Sequence, residues 1–339
     1  SVVPVSPESG RMANAESPAA AGTQDIRELT VIESPEVPFI HAVLAFALWV
    51  GTIHLFFAVI FIATFLLPFS KSIMVFALLL VLILLPVEAD STIGLKVRKY
   101  LFENVCGYFP ITVYAENFKE ILSDRAYIFA SEPHSVLPVG ILALMHLTKA
   151  VPLPKSKVLA SSAVFRTPFL RHVWTWMGLA DVTRKNFVSL LSSGYSCVVV
   201  PGGTRETLLM VHDYEIAFIK TRKGFVRTAM ETGAPLIPVF CFGQSKVYNW
   251  WRPTGKLFLK ICRMIKFTPM FFWGVWGTFL PHQVPLHLVM GRPIEVTKNL
   301  KPTNEEVDEV HRQYVEALVD LFERHKARVG YADLQLKLL

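Results

Sequence analysis

The stretch from Phe39 to Val87 constrains the fold of this chain more than any other. It is predominantly apolar, and Lys71 is its only formal charge. Residues 39–67 exceed the roughly 20 residues that a helix needs to cross a hydrocarbon core about 30 Å thick, whereas residues 73–87 fall short of that length. The pattern predicts a two-helix, membrane-embedded hairpin that either spans twice or re-enters. A secretory signal is excluded because the apolar region is too long and its leading flank is acidic.

Charges beside this hairpin predict its orientation. Lys96, Arg98 and Lys99 follow it, and the positive-inside bias places the large C-terminal body in the cytosol. An even number of crossings returns the N-terminal tail to the same side. The sequence therefore predicts a disordered cytosolic tail over residues 1–38, the hairpin over 39–87, and a cytosolic, membrane-associated body over 88–339.

Composition agrees with a membrane-associated protein that carries a globular part. Hydrophobic residues make up 52% of the chain, and the mean hydropathy is +0.42. Strand-like and helix-like segments alternate through the body, as in AYIFA, CVVVPGG and PLIPVFCFG, which favours an α/β sheet. Near the C-terminus, Thr303 and Glu306 form a predicted capping box before an apolar helical stripe, and Gly330 can end that helix.

The net charge and the missing motifs narrow the function classes. The chain carries +7, mostly outside its acidic tail, which suits anionic headgroups or a phosphate-bearing substrate, and no nucleic-acid reading module is found. The four cysteines show no CxxC spacing, which favours a reducing compartment. No GxSxG, GxGxxG, Walker A or HExxH motif occurs in the sequence. The usual motif evidence is therefore missing for an α/β hydrolase, a dinucleotide-binding enzyme, a nucleotide triphosphatase and a zinc protease. The sequence requires no metal.

His134 is the first candidate catalytic residue. It lies in SEPHSVLPVG, directly after a predicted strand and before a helix expected near Pro138. A helix N-terminus disfavours imidazolium, so the ring would stay neutral and accept a proton, while free helix N–H groups would hold an oxyanion. Glu132 is two residues away and is expected to point elsewhere on an extended segment, so its orienting role is the weaker alternative. A purely structural histidine is the other.

Two further segments are candidates for ligand binding. In VVVPGGTRET, the turn at Pro201, Gly202 and Gly203 brings backbone N–H groups close to a ligand, Arg205 supplies a cation, and Glu206 supplies a hydrogen-bonding or orienting carboxylate. A plain turn is the alternative. Farther on, a helix start carries cations that the helix dipole disfavours, which indicates an anionic phosphate ligand unless the charges are merely solvated; its residues are Arg222, Lys223 and Gly224.

Together these motifs resemble a known family. EPHS at 132–135, PGG with Glu206, RKGFVRTAMETGAPLIPVFCFGQ and GRPIEV at 291–296, behind a double hydrophobic segment, are similar to the plant form of type-2 diacylglycerol acyltransferase. The resemblance implies an acyltransferase-like α/β body and an endoplasmic reticulum enzyme that makes triacylglycerol from diacylglycerol and acyl-CoA. It also implies association with lipid droplets, acyl-CoA as co-substrate with no bound cofactor, and an essential histidine.

The site residues follow from this resemblance, with two departures. Relatives outside plants read HPHG where this chain reads EPHS, so Glu132 replaces a histidine, and Arg205 stands where relatives have an uncharged residue. His134 is expected to be the general base, with Glu132 and Glu206 as further catalytic residues. The expected substrate-binding residues are Pro133, Ser135, Pro201, Gly202, Gly203, Arg205, Arg222, Lys223 and Gly224.

Three alternatives stay open at this point. The first alternative is that the chain acylates monoacylglycerol instead of diacylglycerol, and the second is that it acylates a long-chain alcohol. The third is that it is a non-catalytic hairpin protein of lipid droplets. The ordered polar motifs of the body favour an enzyme, because anchoring alone does not need them. The acyl-chain preference and homo-oligomerisation are not fixed by the sequence.

Overall fold

The computed structural model describes residues 29–122, 124–147, 155–265 and 268–339. Its largest element is an eight-stranded sheet in the order β1-β2-β11-β8-β3-β6-β4-β5, accompanied by the two-stranded pairs β9–β10 and β7–β12. The strands are β1 (Leu29–Glu33), β2 (Ile111–Glu116), β3 (Ile128–Glu132), β4 (Ser156–Ala160), β5 (Leu179–Asp181), β6 (Ser196–Val199), β7 (Glu215–Ala217), β8 (Leu236–Phe242), β9 (Asn249–Trp251), β10 (Phe271–Trp273), β11 (Leu286–Met290) and β12 (Leu336–Leu338).

Helices alternate with these strands, as the sequence predicts for an α/β body. They are α1 (Phe39–Trp49), α2 (Gly51–Phe65), α3 (Phe69–Leu84), α4 (Thr92–Cys106), α5 (Gly140–Leu147), α6 (Leu170–Trp176), α7 (Arg184–Ser192), α8 (Gly203–Leu209), α9 (Gly224–Thr232), α10 (Lys256–Ile265) and α11 (Asn304–Lys326). Parallel pairing holds β4, β6, β3 and β8 together, while β11 runs antiparallel to β8.

The sheet has a hydrophobic core on each face. All residues of β8 are buried, and they alternate between two clusters, so that Ile237 and Val239 join one while Leu236 and Phe240 join the other. Side chains of α1, α4, α5 and α6 complete the first cluster, and side chains of α7, α9 and α11 complete the second. A central strand covered on both faces explains the continuous apolar run of its sequence.

The apolar stretch from Phe39 onward folds as three helices, whereas the sequence predicts two. Its first run bends by 45° between α1 and α2. Among the described residues no single helix is long and apolar enough to cross a bilayer, although α1 and α2 together meet that requirement in length and composition. The bend has a packing cause, because Phe46 and Trp49 of α1 are buried in the core of the body, whereas Phe61 and Phe65 of α2 are exposed.

The N-terminal tail differs from its prediction in one part. Residues 1–28 of the predicted disordered tail lie outside the described residues, but Leu29–Glu33 forms strand β1, which pairs antiparallel with β2 at the edge of the sheet. Thr30, Val31 and Ile32 are β-branched residues, which favour a strand. Of these, Ile32 is buried.

The C-terminal helix α11 confirms its predicted start. Thr303 and Glu306 exchange the two hydrogen bonds of a capping box. At its other end, Arg324 and His325 both contact the buried carboxylate of Glu116, the last residue of β2. Burial opposes ionisation of Glu116, but hydrogen bonds from His325 and Arg324 and the charge of Arg324 outweigh it and lower the pKa of Glu116 to about 2. This cluster fixes α11 to the sheet.

Candidate active site

Two of the candidate motifs meet at one edge of the sheet. His134 follows β3, and the Pro-Gly-Gly turn follows β6, and these strands are parallel neighbours. The carboxyl ends of parallel strands share an edge, where α/β folds commonly place their ligand sites. The topology therefore brings together residues that are about 70 positions apart in the chain.

Glu206 fixes the backbone of this edge. One carboxylate oxygen, Oε1, accepts a hydrogen bond from the backbone N–H of His134, and the other, Oε2, accepts one from the N–H of Phe218 at 3.1 Å. The side chain is 1% exposed. Because both of its oxygens are occupied by backbone donors, Glu206 positions His134 and does not itself face a substrate.

The imidazole of His134 is oriented through its Nδ1 atom. This atom lies 2.9 Å from the carbonyl oxygen of Ser135 and 3.1 Å from Oγ1 of Thr207. A carbonyl only accepts hydrogen bonds, so Nδ1 carries the proton and Nε2 is left with a free electron pair. No hydrogen bond from the described residues occupies Nε2, and the ring is half-buried. In the neutral form of the ring, Nε2 is therefore the atom that can accept a proton.

Thr207 was missed in the sequence. It follows Glu206 on α8, so that one short helix supplies both the carboxylate that holds the His134 backbone and the hydroxyl that contacts its ring. A clue was present, since GGTRET places a hydroxyl directly after the candidate carboxylate. Only the packing of α8 against the end of β3 turns that adjacency into a contact.

Glu132 takes a different position from Glu206. Its side chain is fully buried, and Oε1 accepts a hydrogen bond from the N–H of Gly202 at 3.4 Å. Burial, followed by the nearby charge of Glu206, raises the pKa of Glu132 well above its usual range. The protonated, uncharged form of Glu132 is therefore favoured, and the described structure gives Glu132 no hydrogen bond to the ring of His134.

The Pro-Gly-Gly turn has a specific steric requirement at Gly202. A Cβ atom at this position would overlap the carboxylate of Glu206, so only glycine lets the turn approach that close. Gly203 begins α8 with a φ of +54°, a conformation that favours glycine. The turn is thus built around Glu206, and Pro201 opens it two residues after the end of β6.

Gln244 is a second residue that the sequence did not single out. It is buried, its Nε2 donates to the carbonyl of Pro133, and its Oε1 accepts from the N–H of Gly140 at 2.8 Å. The hydroxyl of Ser135 donates to the Gln244 carbonyl at 3.3 Å. One amide side chain therefore holds the loop that presents His134.

These contacts correct the expected oxyanion site at the helix after His134. Helix α5 begins at Gly140, six residues beyond the histidine, and its first N–H is already bound by Gln244. The next two N–H groups are bound by the carbonyls of Pro138 and Val139. The start of α5 thus has no free donor to offer there, because its first amides are satisfied within the loop.

The basic cluster separates into two parts. Arg222 donates to the carbonyl of Gly202 at 3.4 Å, and its guanidinium lies 5.4 Å from the centre of the Phe218 ring, over which Arg205 lies at 5.7 Å. Burial, then the nearby Arg205, lowers the pKa of Arg222. Lys223, in contrast, forms an ion pair of 2.5 Å with Asp308 of α11. Gly224 begins α9.

Arg205 and Arg222 thus converge on one aromatic ring next to the Pro-Gly-Gly turn. Phe218 links them to the site, because its backbone N–H holds Glu206. Two guanidinium groups gathered on one ring repel each other unless an anion lies between them. Arg205 and Arg222 lie over the same ring and together suit an anionic ligand. Lys223 does not join them, because it is paired with Asp308.

Comparison with known proteins identifies the family. A sequence model described as "Diacylglycerol acyltransferase" matches residues 63–338, which include every residue of the site above. The chain belongs to the diacylglycerol acyltransferase family. The resemblance seen in the motifs is thereby confirmed at the level of the family.

Several relatives are similar to this chain. "Diacylglycerol O-acyltransferase 2" of Homo sapiens is 31% identical over 252 residues, which cover 68% of this chain and 63% of the human protein. "2-acylglycerol O-acyltransferase 3" of Homo sapiens is 30% identical, with 69% and 73% coverage. The match thus spans less than two thirds of the length of human "Diacylglycerol O-acyltransferase 2". A crystal structure of "1-acyl-sn-glycerophosphate (LPA) acyltransferase, PlsC" from Thermotoga maritima aligns with a TM-score of 0.40 and 16% identity, covering 83% of this chain and 97% of its own.

Proposed function

We propose that this protein transfers an acyl group from acyl-CoA to diacylglycerol, with His134 as general base. The observation that carries the proposal is the ring of His134, whose Nδ1 is held by Ser135 and Thr207 while no described residue bonds to Nε2, at the edge of the sheet where α/β folds commonly bind ligands. Family membership supports the reaction class. The printed name of the human relative supports diacylglycerol as acceptor.

The reaction proceeds by direct transfer. Nε2 of His134 accepts the proton of the acceptor hydroxyl as the oxygen attacks the thioester carbonyl, and the carbonyl oxygen becomes an oxyanion. Collapse of this tetrahedral intermediate forms the ester and breaks the carbon–sulfur bond. The coenzyme A thiolate leaves and takes the proton back from the imidazolium. Donors of the Pro-Gly-Gly turn stabilise the oxyanion, with the N–H of Gly203 as the candidate.

The neighbouring residues support this chemistry without exchanging the substrate proton. Glu206 holds the backbones of His134 and Phe218, and Thr207 fixes the plane of the imidazole. Glu132 is buried next to Glu206, and its raised pKa favours the uncharged form, which avoids a second negative charge there. Arg205 and Arg222 bind the phosphates of coenzyme A, and bidentate guanidinium groups suit that ligand.

The proposed location is the endoplasmic reticulum membrane, with both termini in the cytosol, and the surface of lipid droplets. The exposed apolar side chains of α2 and α3 provide the embedded part. Tags at the N-terminus and after Leu339 should both be digested by protease in sealed microsomes. Protection of one tag would contradict this topology.

An acceptor competition tests the function. Microsomes from a host without storage-lipid synthesis, carrying this protein, are given labelled oleoyl-CoA together with diacylglycerol, monoacylglycerol and a long-chain alcohol. Triacylglycerol is the expected main product. Monoacylglycerol deserves direct comparison because one similar protein is named for 2-acylglycerol. Dominant diacylglycerol or wax ester would overturn the acceptor, and the absence of every labelled ester would favour a non-catalytic droplet protein.

A further inference from the structure

Helix α10 exposes an apolar stripe to the surroundings of the protein. Leu257 and Met264 are 72% and 73% exposed, and Ile261 is also exposed. These residues lie at positions i, i+4 and i+7, on one side of the helix. Cys262, on another side, is buried against the body. The helix is therefore attached by one apolar face and presents a second apolar face outward.

Cations border this stripe. Lys256 and Lys260 are exposed; at 100° per residue, Lys260 lies about 60° from Leu257 and about 40° from Met264 around the helix axis, and Lys256 lies about 100° and 80° from them, on the same side. An apolar strip bordered by lysines is typical of a helix that lies in the headgroup region of a lipid leaflet, where the apolar side enters the acyl boundary and the ammonium groups meet lipid phosphates. A protein-binding helix does not need this arrangement of charge.

The strands that flank α10 extend the same surface. The chain enters α10 from β9 and leaves it to β10, and the two strands form an antiparallel ribbon. Trp251 and Phe271 pair across the ribbon with ring centroids 5.8 Å apart, and both are exposed, as is Trp273. Beyond β10, Trp276 is 85% exposed. Tryptophan is enriched at membrane interfaces, because its ring is apolar and its N–H is polar.

The ribbon is continuous with the apolar helices at the N-terminal end. Its inward-facing residue Phe272 packs on His54 of α2, with ring centroids 4.8 Å apart, and its carbonyl lies 3.2 Å from Nε2 of that histidine. The exposed apolar side chains of α2 therefore adjoin the aromatic ribbon. One lipid surface can contact both without a rearrangement of the body.

The same segment contacts the helix that holds the catalytic base. Thr268, between α10 and β10, donates from its hydroxyl to the carbonyl of Thr204 on α8 at 3.1 Å. Arg252, between β9 and α10, donates to the carbonyl of Met210, the C-cap of α8, at 3.2 Å. Both ends of α8 are thus tied to the segment that carries the exposed apolar stripe.

We infer that α10 and the β9–β10 ribbon form a docking surface for an anionic phospholipid leaflet, separate from the apolar helices α1 to α3. Leu257, Ile261 and Met264 enter the acyl boundary, and Lys256 and Lys260 meet the headgroups. The inference rests on the membrane location proposed above but not on the acyl-transfer chemistry. Its contacts to α8 connect this surface to the helix that carries Glu206 and Thr207.

A fluorescent depth probe tests the inference on the full chain. The cysteines Cys106, Cys197, Cys241 and Cys262 are all buried, so a thiol-reactive NBD probe reacts selectively at an introduced cysteine. Leu257→Cys and Met264→Cys report on the stripe. Leu300→Cys is the matched control, because Leu300 is 74% exposed but lies in the loop before α11, away from the ribbon. The proteins are placed in nanodiscs of phosphatidylcholine with phosphatidylglycerol.

The expected result is a blue-shifted emission at positions 257 and 264 that falls at least about twofold when the lipids carry bromine at the upper acyl carbons, with no change at position 300. Emission at 257 and 264 equal to that at 300 would overturn the inference. A blue shift without bromine quenching would also overturn it, because the stripe would then be covered by protein. Neither readout needs activity, so a failure of the proposed reaction is distinguishable.

The two lysines are tested separately. Quenching at position 264 should be stronger with phosphatidylglycerol than with phosphatidylcholine alone, and Lys256→Gln combined with Lys260→Gln should abolish that difference. Persistence of the difference in the double variant would overturn the role of these lysines. The probe-labelled single variant without lysine changes is the reference.

Discussion

Glu116 and Glu132 are both buried glutamates at the last residue of a strand, yet their surroundings are opposite. Glu116 ends β2 and meets Arg324 and His325, whereas Glu132 ends β3 and meets another carboxylate, Glu206. The pKa of Glu116 is therefore lowered to about 2, and that of Glu132 is raised. Because β2 and β3 run antiparallel, the two glutamates lie at opposite edges of the sheet.

This difference separates a structural end of the sheet, at Glu116, from the end that carries the candidate active site, at Glu132. At the Glu116 edge, opposite charges neutralise each other and fasten α11 to the sheet, which is a structural task. At the Glu132 edge, the described residues form no ion pair with Glu132 or Glu206, and the two carboxyl groups instead accept hydrogen bonds from backbone N–H groups next to a reactive ring. A buried carboxylate without a cationic partner marks the working edge of the fold.

The largest expected effect comes from removing the base at the working edge. His134→Ala should lower the rate of triacylglycerol formation by on the order of a hundredfold or more, because the acceptor hydroxyl loses its proton acceptor. The rate is measured in microsomes with equal amounts of the protein. His41→Ala is the control, since His41 is exposed and its hydrogen-bond contacts are to Tyr100 of α4 and not to a residue of the site. Near-normal turnover by a well-accumulated His134→Ala would show that the ring is structural.

Removing the charge at the opposite edge should affect stability. Glu116→Gln loses an ionised partner of Arg324 and His325, which is worth on the order of 3 kcal/mol of unfolding free energy at neutral pH, from a pKa shift of 4.5 to about 2. A depressed folded-state pKa stabilises above pH 4.5 and ceases to do so as the pH falls through 2. The difference in the free energy of unfolding between wild type and variant, measured in detergent, should therefore disappear as the pH falls from 4.5 to 2. A difference that is constant with pH would contradict it.

A third experiment compares the two carboxylates of the working edge. Glu206→Gln leaves one backbone N–H without an acceptor, which costs about 1–3 kcal/mol and should reduce kcat by roughly tenfold to a hundredfold. Glu132→Gln should change kcat by less than about threefold, because the raised pKa of Glu132 favours its uncharged form and the amide is also uncharged. Equal losses in both variants would mean that Glu132 works as an anion.

The smallest effects separate the cations. Arg222→Ala should raise the KM for acyl-CoA by roughly tenfold with little change in the KM for diacylglycerol, as phosphate recognition requires. Lys223→Ala should raise it by less than about twofold, because its exposed ion pair with Asp308 contributes little. If Lys223→Ala has the larger effect, coenzyme A lies along α11 and not beside Arg205.

Much of the working edge could be predicted from the sequence. His134 and the Pro-Gly-Gly turn each follow a strand-like run, and parallel pairing of β3 and β6 is the step that brings them together. The contacts of Gln244 and Thr207 could not be predicted, since they depend on how β8 and α8 are placed against the loop. The sequence predicts one binding cluster for Arg222 and Lys223, because they are adjacent and carry the same charge. In the structure, Arg222 contacts Gly202 and Lys223 contacts Asp308.

The fold shows the same limit. The alternation of strands and helices predicts the α/β body, but the bend between α1 and α2 depends on the burial of Phe46 and Trp49, which hydropathy does not encode. The stripe of α10 was readable as a period of 3.6 in KLFLKICRM. The sequence alone could not predict that one apolar face of α10 stays exposed while another packs against the body.

Strand β1 has a consequence for how the protein can move. Only residues 34–38 separate β1 at the edge of the sheet from α1, and α1 is itself part of the core. A swinging linker between anchor and body is therefore lacking at this point of the described chain. The catalytic edge can change its height or tilt relative to α1 only if β1 leaves the sheet or α1 leaves the core, so we expect α1 and the body to reorient together on a lipid surface.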